Sequence, residues 1–186
     1  MRTLIVYQSY FGNTRLIASS LARHFKELGE VVLYDIERHQ NGFDFTMFDL
    51  ILIGSPTRYT SISAPMKRFL QSPKVKRFSD LPVVAFDTRY GPQHKHSVFM
   101  RFLIQMFGYG VTSLEKRLDR LSIPRLLDGE GFSVEAAEGP LSEHTEKRVG
   151  AFVARIVVAM QETAKTAHDA GDALDEKDSE AETRVV

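Results

Sequence analysis

A six-residue loop near the start of the chain has the composition of an anion-binding site. It follows the apolar run 3–7 and opens an amphipathic segment, so a strand should lead through the loop into a helix. Such a loop offers backbone N–H groups, side-chain hydroxyls and the positive end of the helix dipole to a phosphate. The glycine lets a ligand approach the backbone closely. We therefore predict a phosphate-binding loop formed by Ser9, Tyr10, Phe11, Gly12, Asn13 and Thr14.

The kind of phosphate follows from residues that the loop lacks. No lysine follows Gly12, as a nucleoside-triphosphate loop of the Walker type requires, and the two later glycines of a dinucleotide fingerprint are missing. The loop therefore suits a single phosphate monoester better than a triphosphate or a pyrophosphate. Strand-turn-helix starts with incidental Ser and Thr are common, so the residues alone leave a purely structural loop open.

Three segments resemble the cofactor loops of one family. The stretch from Ile5 to Leu21 resembles the phosphate loop of the flavodoxins, which holds the phosphate of FMN. Residues 54–59, Gly-Ser-Pro-Thr-Arg-Tyr, resemble the second flavin loop of the flavodoxin-like quinone reductases, and residues 86–90 fall where flavodoxins place their third loop. The resemblance covers roughly residues 1–160. It implies noncovalently bound FMN, held in the second and third loops by Pro56, Thr57, Arg58, Tyr59, Thr60, Ser61, Asp87, Thr88, Arg89 and Tyr90.

The resemblance also suggests roles for these residues. Tyr59 and Tyr90 would be the aromatic walls that stack on the flavin ring and exclude water, although each could instead be a partly exposed core edge. The backbone of the second and third loops would bond the polar edge of the ring. Arg58 and Arg89 would either lie near the pyrimidine edge or be solvated.

The rest of the chain alternates strands and helices. Ile17, Leu21, Phe25 and Leu28 recur on one helical face, and Gly29 ends that helix. The strands are predicted at 3–7, 31–34, 50–53, 82–86 and 131–134. This pattern predicts an α/β fold with a three-layer, doubly wound, five-stranded parallel sheet that is flavodoxin-like in its order, 2-1-3-4-5. A ligand then binds beyond the carboxyl ends of the strands, where all three loops emerge.

Within this pattern, residues 97–107 are predicted to form an unusually apolar helix. Two segments lie outside the minimal pattern. Residues 112–130 form an extra stretch that is either a packed surface element, a partner-docking site or an insertion into the last strand. We expect residues 1–162 to form a single flavodoxin-like FMN-binding domain. Residues 163–186 are then an acidic, polar C-terminal tail, disordered or a frayed helix.

The composition of the chain limits which redox groups, cellular locations and metal sites we expect. The 186 residues include no cysteine, so any electron chemistry must reside on a bound cofactor. No apolar run is long enough to span a membrane and no signal-peptide pattern begins the chain, so we expect a cytoplasmic location. A metal site at His94 and His96 is disfavoured, because two histidines around a lysine in a polar loop usually face solvent.

Charge is divided unevenly along the chain. Residues 161–186 carry eight acids and three bases, whereas residues 1–160 carry 21 bases and 16 acids, a net charge of +5. Free flavodoxin carriers are typically acidic, so the usual set of partners is in doubt here. The basic stretch 67–77 is either a solvated face or a docking surface for an acidic partner, an anionic substrate or a membrane surface. Nucleic-acid binding is not expected, because no aromatic residues are interleaved with these bases.

We therefore predict an FMN-binding, flavodoxin-like electron-transfer protein that works with a redox partner protein of unknown identity. The alternative is an FMN-dependent oxidoreductase of the same fold, of the quinone reductase or protoporphyrinogen dehydrogenase type. A non-catalytic flavin-binding module is a third possibility. No separate nicotinamide domain is apparent in the sequence, which favours the carrier modestly.

Overall fold

A sheet of five parallel strands forms the centre of the computed structural model, which describes residues 1–38, 44–58, 60–90, 110–134 and 143–183. The strands are β1 (Arg2–Tyr7), β2 (Glu30–Asp35), β3 (Leu50–Arg58), β4 (Ser61–Ile62), β5 (Val83–Tyr90) and β6 (Glu130–Val134). The parallel strands run in the order β2-β1-β3-β5-β6, and the two-residue β4 pairs antiparallel with β3. The predicted order 2-1-3-4-5 is therefore confirmed once β4 is left out of the count.

Helices cover both faces of this sheet. They are α1 (Asn13–Lys26), α2 (Ala64–Leu70), α3 (Gly110–Arg120) and α4 (Glu143–Thr183), with short 3₁₀ turns at Phe45–Met47 and Pro73–Phe78. Helices α1 and α4 contribute to one apolar cluster, through residues such as Phe25 and Phe152. Helices α2 and α3 contribute to the other, through residues such as Met66 and Leu114. The three predicted layers are thus present.

The central strands are apolar on both faces, which explains their continuous hydrophobic runs. Leu4 and Ile5 are fully buried, yet they belong to opposite clusters because successive side chains of a strand point to opposite sides of the sheet. Residues 50–53 are fully buried in the same alternating way. Strands covered on both faces are typical of parallel sheets, so these runs predict their position well.

Strand β3 is longer than the sequence indicates. We expected it to end at Gly54, but it continues to Arg58 because Thr57 and Arg58 pair with the short strand β4. Gly54 itself lies beside Phe86 of β5, and a Cβ atom at position 54 would be 2.0 Å from the Phe86 ring. The glycine therefore makes room for the ring rather than marking a loop.

The extra stretch 112–130 begins with a packed helix. Leu114 and Leu118 of α3 are fully buried against the sheet, as the helical spacing predicts for a packed element. Residues 124–126 then pair with the start of β5 through Val83, ahead of β6. Helix α3 thus lies before the last strand instead of interrupting it. The predicted helix 97–107, His94 and His96 lie outside the described residues.

The last helix extends well past the core. Val149, Phe152 and Ile156 of α4 are buried, whereas residues 161–166 are exposed and the helix continues to Thr183. The division into a domain at 1–162 and a tail at 163–186 remains a prediction.

Candidate functional site

The loop after β1 is shaped by a glycine with a positive backbone angle. Gly12 has φ +96° and precedes the first residue of α1, and its carbonyl accepts the first helical hydrogen bond from the Leu16 N–H at 2.9 Å. The Gly12 N–H donates to the Ser9 Oγ at 3.1 Å, which closes the loop on itself. Few residues other than glycine adopt this left-handed conformation, so Gly12 fixes the path of the chain.

The electrostatics of this loop favour an anion. The first turn of α1 carries no acidic residue, and no side chain caps it at Gly12. The helix dipole and the unsatisfied N–H groups of a first turn attract negative charge. Arg15, which we did not single out from the sequence, lies beside the loop, with its Nη2 3.7 Å from where a Cβ of residue 12 would be. The charge of Arg15 adds to the positive potential there.

A cleft of about 150 Å³ opens at the carboxyl ends of four strands. The segments after β1, β3 and β5 meet there, as the topology predicts, and the last residue of β6 completes the wall. That residue, Val134, was not among the predicted site residues. Its place at the end of the predicted strand 131–134 is the sequence signal that could have found it, because ligands bind beyond the carboxyl ends of the strands. The cleft is lined by Ser9, Tyr10, Phe11, Asn13, Thr14, Pro56, Thr57, Thr88, Arg89 and Val134.

Two buried threonines join the first and third loops. The hydroxyls of Thr14 and Thr88 lie 2.8 Å apart, and both residues are nearly fully buried. Only one of the two hydroxyls donates in this bond, so the other keeps its proton for a third group. The Thr14 hydroxyl, which we predicted as a phosphate contact, is therefore also a link between α1 and β5.

Beneath the cleft lies a buried carboxylate. Asp87 is fully buried, and its Oδ2 accepts hydrogen bonds from the Thr57 hydroxyl at 2.7 Å and the Val111 N–H at 2.8 Å. The Gly110 N–H donates to the same Thr57 hydroxyl at 3.0 Å. Burial raises the pKa of Asp87 above its ordinary value, and the opposing influence of Arg89 is weaker. Asp87 thus connects β5, β3 and the start of α3.

Arg89 places a positive charge in the wall of the cleft. Its Nε lies 3.9 Å from the Oδ1 of Asp87, and its side chain is 21% exposed. The guanidinium packs directly on Gly131 of β6, where a Cβ atom would be 2.1 Å from the Arg89 Nη2. Among the described residues that line the cleft, Arg89 is the charged one.

Comparison with known proteins agrees with this geometry. A family model described as "Flavodoxin domain" matches residues 4–107, which is more than half of the chain. The chain belongs to the flavodoxin family. No curated protein sequence matches it significantly.

Several solved structures share the flavodoxin fold with this chain. It is similar to a flavodoxin from the domain Archaea, with 15% identity, a TM-score of 0.62, and coverage of 87% of this chain and 99% of that one. Flavodoxin 2 from Bacillus cereus gives 20% identity, a TM-score of 0.61, and coverage of 88% and 99%. The rubredoxin oxygen:oxidoreductase of Desulfovibrio gigas gives 14% identity and a TM-score of 0.62; 87% of this chain is covered but only 36% of that chain. At identities of 14–20%, the similarity to these structures is evidence for the fold of this chain alone.

Of the other residues predicted for the site, some lie away from the cleft and some lie outside the described part of the chain. Thr60 follows β3 in a turn, and the Ser61 hydroxyl lies 3.3 Å from the Ser113 hydroxyl of α3. Tyr59 lies outside the described residues. Arg58 and Tyr90 are the last residues of β3 and β5, and their side chains are likewise outside the described part.

The described residues fit a flavodoxin cofactor with one phosphate. The cleft lies at the N-terminus of α1, where an anion is favoured, and Ser9, Thr57 and Thr88 are among its lining residues. The described residues of the lining include no carboxylate. Tyr10 and Phe11 are 41% and 54% exposed, so the rim of the cleft is aromatic. No helix in the described part of the chain is long and apolar enough to cross a membrane.

Proposed function

We propose that this chain binds FMN noncovalently and carries electrons between partner proteins. The observation that supports the proposal most directly is the cleft, in which the loop 9–14 at the start of α1 meets the ends of β3 and β5. A helix N-terminus that favours an anion, next to a mostly apolar cleft, suits a ligand with one phosphate and a flat ring.

The residues of the cleft divide between the two parts of such a ligand. Ser9, Thr14 and the N–H groups at the start of α1 would hold the phosphate. Thr57, Thr88 and Arg89 would contact the polar edge of the ring, and stacking by Tyr59 and Tyr90 remains a prediction. Bound FMN supplies transfer of one or two electrons, which the side chains of this chain cannot provide, since it contains no cysteine.

The lining favours a carrier over an enzyme that transforms a small substrate. Among the described residues that line the cleft there is no His, Asp, Glu or Lys, Tyr10 is the one group that could act as a general acid or base, and the carboxylate of Asp87 is fully buried. General acid or base catalysis needs such a group within reach of the reacting atoms. The positive net charge of residues 1–160 favours an acidic partner protein. The cytoplasmic location remains a prediction.

Steady-state kinetics with the FMN-loaded protein test the carrier function. We expect negligible oxidation of NAD(P)H or of a quinol by the protein alone, and rapid electron flow from NADPH to an acidic haem protein when a reductase with an acidic docking face is added. The same reductase without this protein is the control. Fast turnover of NAD(P)H with a quinone in the absence of a reductase would instead identify an FMN-dependent quinone reductase, and turnover of protoporphyrinogen would identify the corresponding dehydrogenase.

A further inference from the structure

A chain of hydrogen bonds links the buried carboxylate of Asp87 to a residue in the wall of the cleft. The Thr57 hydroxyl donates to the Asp87 Oδ2 at 2.7 Å, and the Gly110 N–H donates to the same hydroxyl at 3.0 Å. Asp87 is fully buried, whereas Thr57 is partly exposed and lines the cleft. Thr57 is therefore the residue that connects Asp87 to the cleft.

The Thr57 hydroxyl has one hydrogen-bonding position left for a ligand. A hydroxyl group has one proton and two lone pairs. When Asp87 is ionised, the hydroxyl donates its proton to the carboxylate and accepts from the Gly110 N–H, so a ligand finds only an acceptor at Thr57. When Asp87 is protonated and donates to Thr57 instead, both lone pairs of the hydroxyl are occupied and its proton is free for a ligand. The protonation state of Asp87 thus decides whether Thr57 presents a donor or an acceptor.

The surroundings of the carboxyl group place this proton on the Asp87 Oδ2. The Oδ1 is buried and has no hydrogen-bond partner among the described residues, so a proton on Oδ1 would lack an acceptor there. The Oδ2 is bonded to the Thr57 hydroxyl and to the Val111 N–H, at 2.7 and 2.8 Å, and of these two groups the hydroxyl can also accept. A proton on Oδ2 therefore keeps the bond to Thr57, with donor and acceptor exchanged.

Opposing influences act on the charge of Asp87. Burial raises the pKa of this carboxyl, and Glu130 of β6 adds to the effect. Glu130 is itself paired with Arg148 and Arg155 of α4, which reduces its repulsion. The groups that lower the pKa of Asp87 are Arg89 of β5, the Thr57 hydroxyl of β3 and the Val111 N–H of α3. Burial thus favours the neutral carboxyl, and its neighbours support the ionised form once the proton has left.

We propose that Asp87 donates a proton, through the Thr57 hydroxyl, to the group that is reduced in the cleft. The proposal rests on the proposed function, in which that group is the flavin ring of FMN. A flavin gains a proton on a ring nitrogen when it is reduced, and the same nitrogen is a hydrogen-bond acceptor in the oxidised ring. Thr57 would present a donor to the oxidised ring and an acceptor to the reduced ring, so its hydroxyl suits both states.

The transfer consists of two proton movements along this chain of hydrogen bonds. As two electrons arrive from a reducing partner protein, the Thr57 proton forms a bond to the ring nitrogen, and the Asp87 proton moves from Oδ2 to the Thr57 oxygen. Asp87 is left as a carboxylate that accepts from Thr57, and the reduced ring keeps one negative charge. Oxidation of the ring by the next partner protein reverses both movements, so no further acid is needed.

Infrared difference spectra, reduced minus oxidised, test this transfer because a protonated carboxyl group has a C=O band that a carboxylate lacks. Protein saturated with FMN is reduced electrochemically at a series of pH values that begins near about 3.9, the ordinary pKa of aspartate. We expect the wild type to lose the carboxyl band on reduction, at pH values below the pKa of Asp87 in the oxidised protein. The loss should be absent in Asp87→Asn and retained in Asp80→Asn, a control at an exposed position.

Two substitutions of Thr57 distinguish a proton path from a structural role, and both keep Asp87 in case Asp87→Asn does not fold. Thr57→Val removes the hydroxyl and nearly preserves the shape of the side chain, so we expect the carboxyl band to persist during reduction. Thr57→Ser retains a hydroxyl, so we expect the band loss of the wild type. A loss of the same size in the wild type and in Thr57→Val contradicts the proposal.

The same samples separate this proposal from the proposed function. If FMN binds and is reduced but the carboxyl band of the wild type stays constant at every pH, the proton path is wrong and the assignment of FMN stands. If FMN does not bind, both are wrong.

Discussion

The hydroxyl groups of Thr14 and Thr88 link the start of α1 to the end of β5. Thr14 lies in the first turn of α1 and Thr88 near the end of β5, and their hydroxyls bond in a buried position. A buried hydroxyl without a partner costs about 1–3 kcal/mol. The bond therefore stabilises the fold and also holds the start of α1, next to the loop 9–14, against the end of β5.

Replacement of Thr88 by valine should measure this link. We expect Thr88→Val to lower the free energy of unfolding by about 1–3 kcal/mol, because the Thr14 hydroxyl is left buried without this partner. The double variant Thr14→Val, Thr88→Val should cost less than the sum of the single variants, since neither hydroxyl remains. Urea denaturation gives the values, and Thr163→Val on the exposed part of α4 serves as the control. Strict additivity would mean that the two hydroxyls do not interact.

Local sequence was enough to predict the residues of the first loop but not the contacts beneath it. Ser9, Gly12 and Thr14 stand in one short pattern between a strand and a helix, so their position in a single loop could be inferred directly. The burial of Asp87 and the close packing of Arg89 on Gly131 depend on strands that are distant in the chain. No spacing in the sequence encodes those contacts.

At the scale of secondary-structure elements, a glycine that precedes one helix and a glycine inside another have different consequences. Gly12 precedes α1 with φ +96°, whereas Gly150 lies inside α4, where a Cβ would meet the His24 Cε1 at an ordinary 3.6 Å. Gly12 is needed for its conformation. Gly150 only adds backbone freedom that folding must restrict.

A pair of alanine substitutions tests this difference. Gly12→Ala should lower the free energy of unfolding by about 1–2 kcal/mol, the cost of the left-handed conformation for a residue with a Cβ. It should also weaken FMN binding, because the loop relaxes away from the helix N-terminus. Gly150→Ala should raise the free energy of unfolding by up to about 1 kcal/mol and leave FMN binding unchanged. Thermal unfolding measures the change in stability, and its repetition with FMN measures the change in binding. Equal effects of the two substitutions would contradict the roles assigned to Gly12 and Gly150.

The elements also show where sequence patterns are insufficient. The apolar run 50–53 predicts a central strand correctly, because burial on both faces leaves a continuous hydrophobic signal. The extension of β3 to Arg58 carries no such signal, since it depends on pairing with the two residues of β4. The sequence also leaves the role of segment 112–130 open, because helix α3 packs on strands that are far from it in the chain.

At the scale of the whole molecule, one buried carboxylate should influence stability over a range of pH. The pKa of Asp87 is raised in the folded protein by burial. A raised pKa means that the folded state holds the proton more tightly than the unfolded state, whose carboxyl titrates near its ordinary value of about 3.9. The stability that this contributes is present below that value and is lost as pH rises through the folded pKa.

The pH dependence of unfolding checks this sign. The free energy of unfolding of the wild type, measured relative to Asp87→Asn, should fall as pH rises from about 4 and level off above the folded pKa of Asp87. Urea denaturation at a series of pH values gives the difference, with Asp80→Asn as the control. A difference that is constant with pH would show that folding leaves the pKa of Asp87 unchanged, and a difference that rises would show that folding lowers this pKa.

Binding of FMN in preference to riboflavin is the most direct test of the central claim, because the two ligands differ only in the phosphate that the loop 9–14 should hold. Calorimetric titration of the protein with each ligand, in the same buffer, gives both affinities. We expect one FMN to bind per chain and riboflavin to bind at least about tenfold more weakly, a difference of about 1.4 kcal/mol or more. Riboflavin that binds as tightly as FMN, or FMN that does not bind, would contradict the assignment of this loop and cleft as an FMN site.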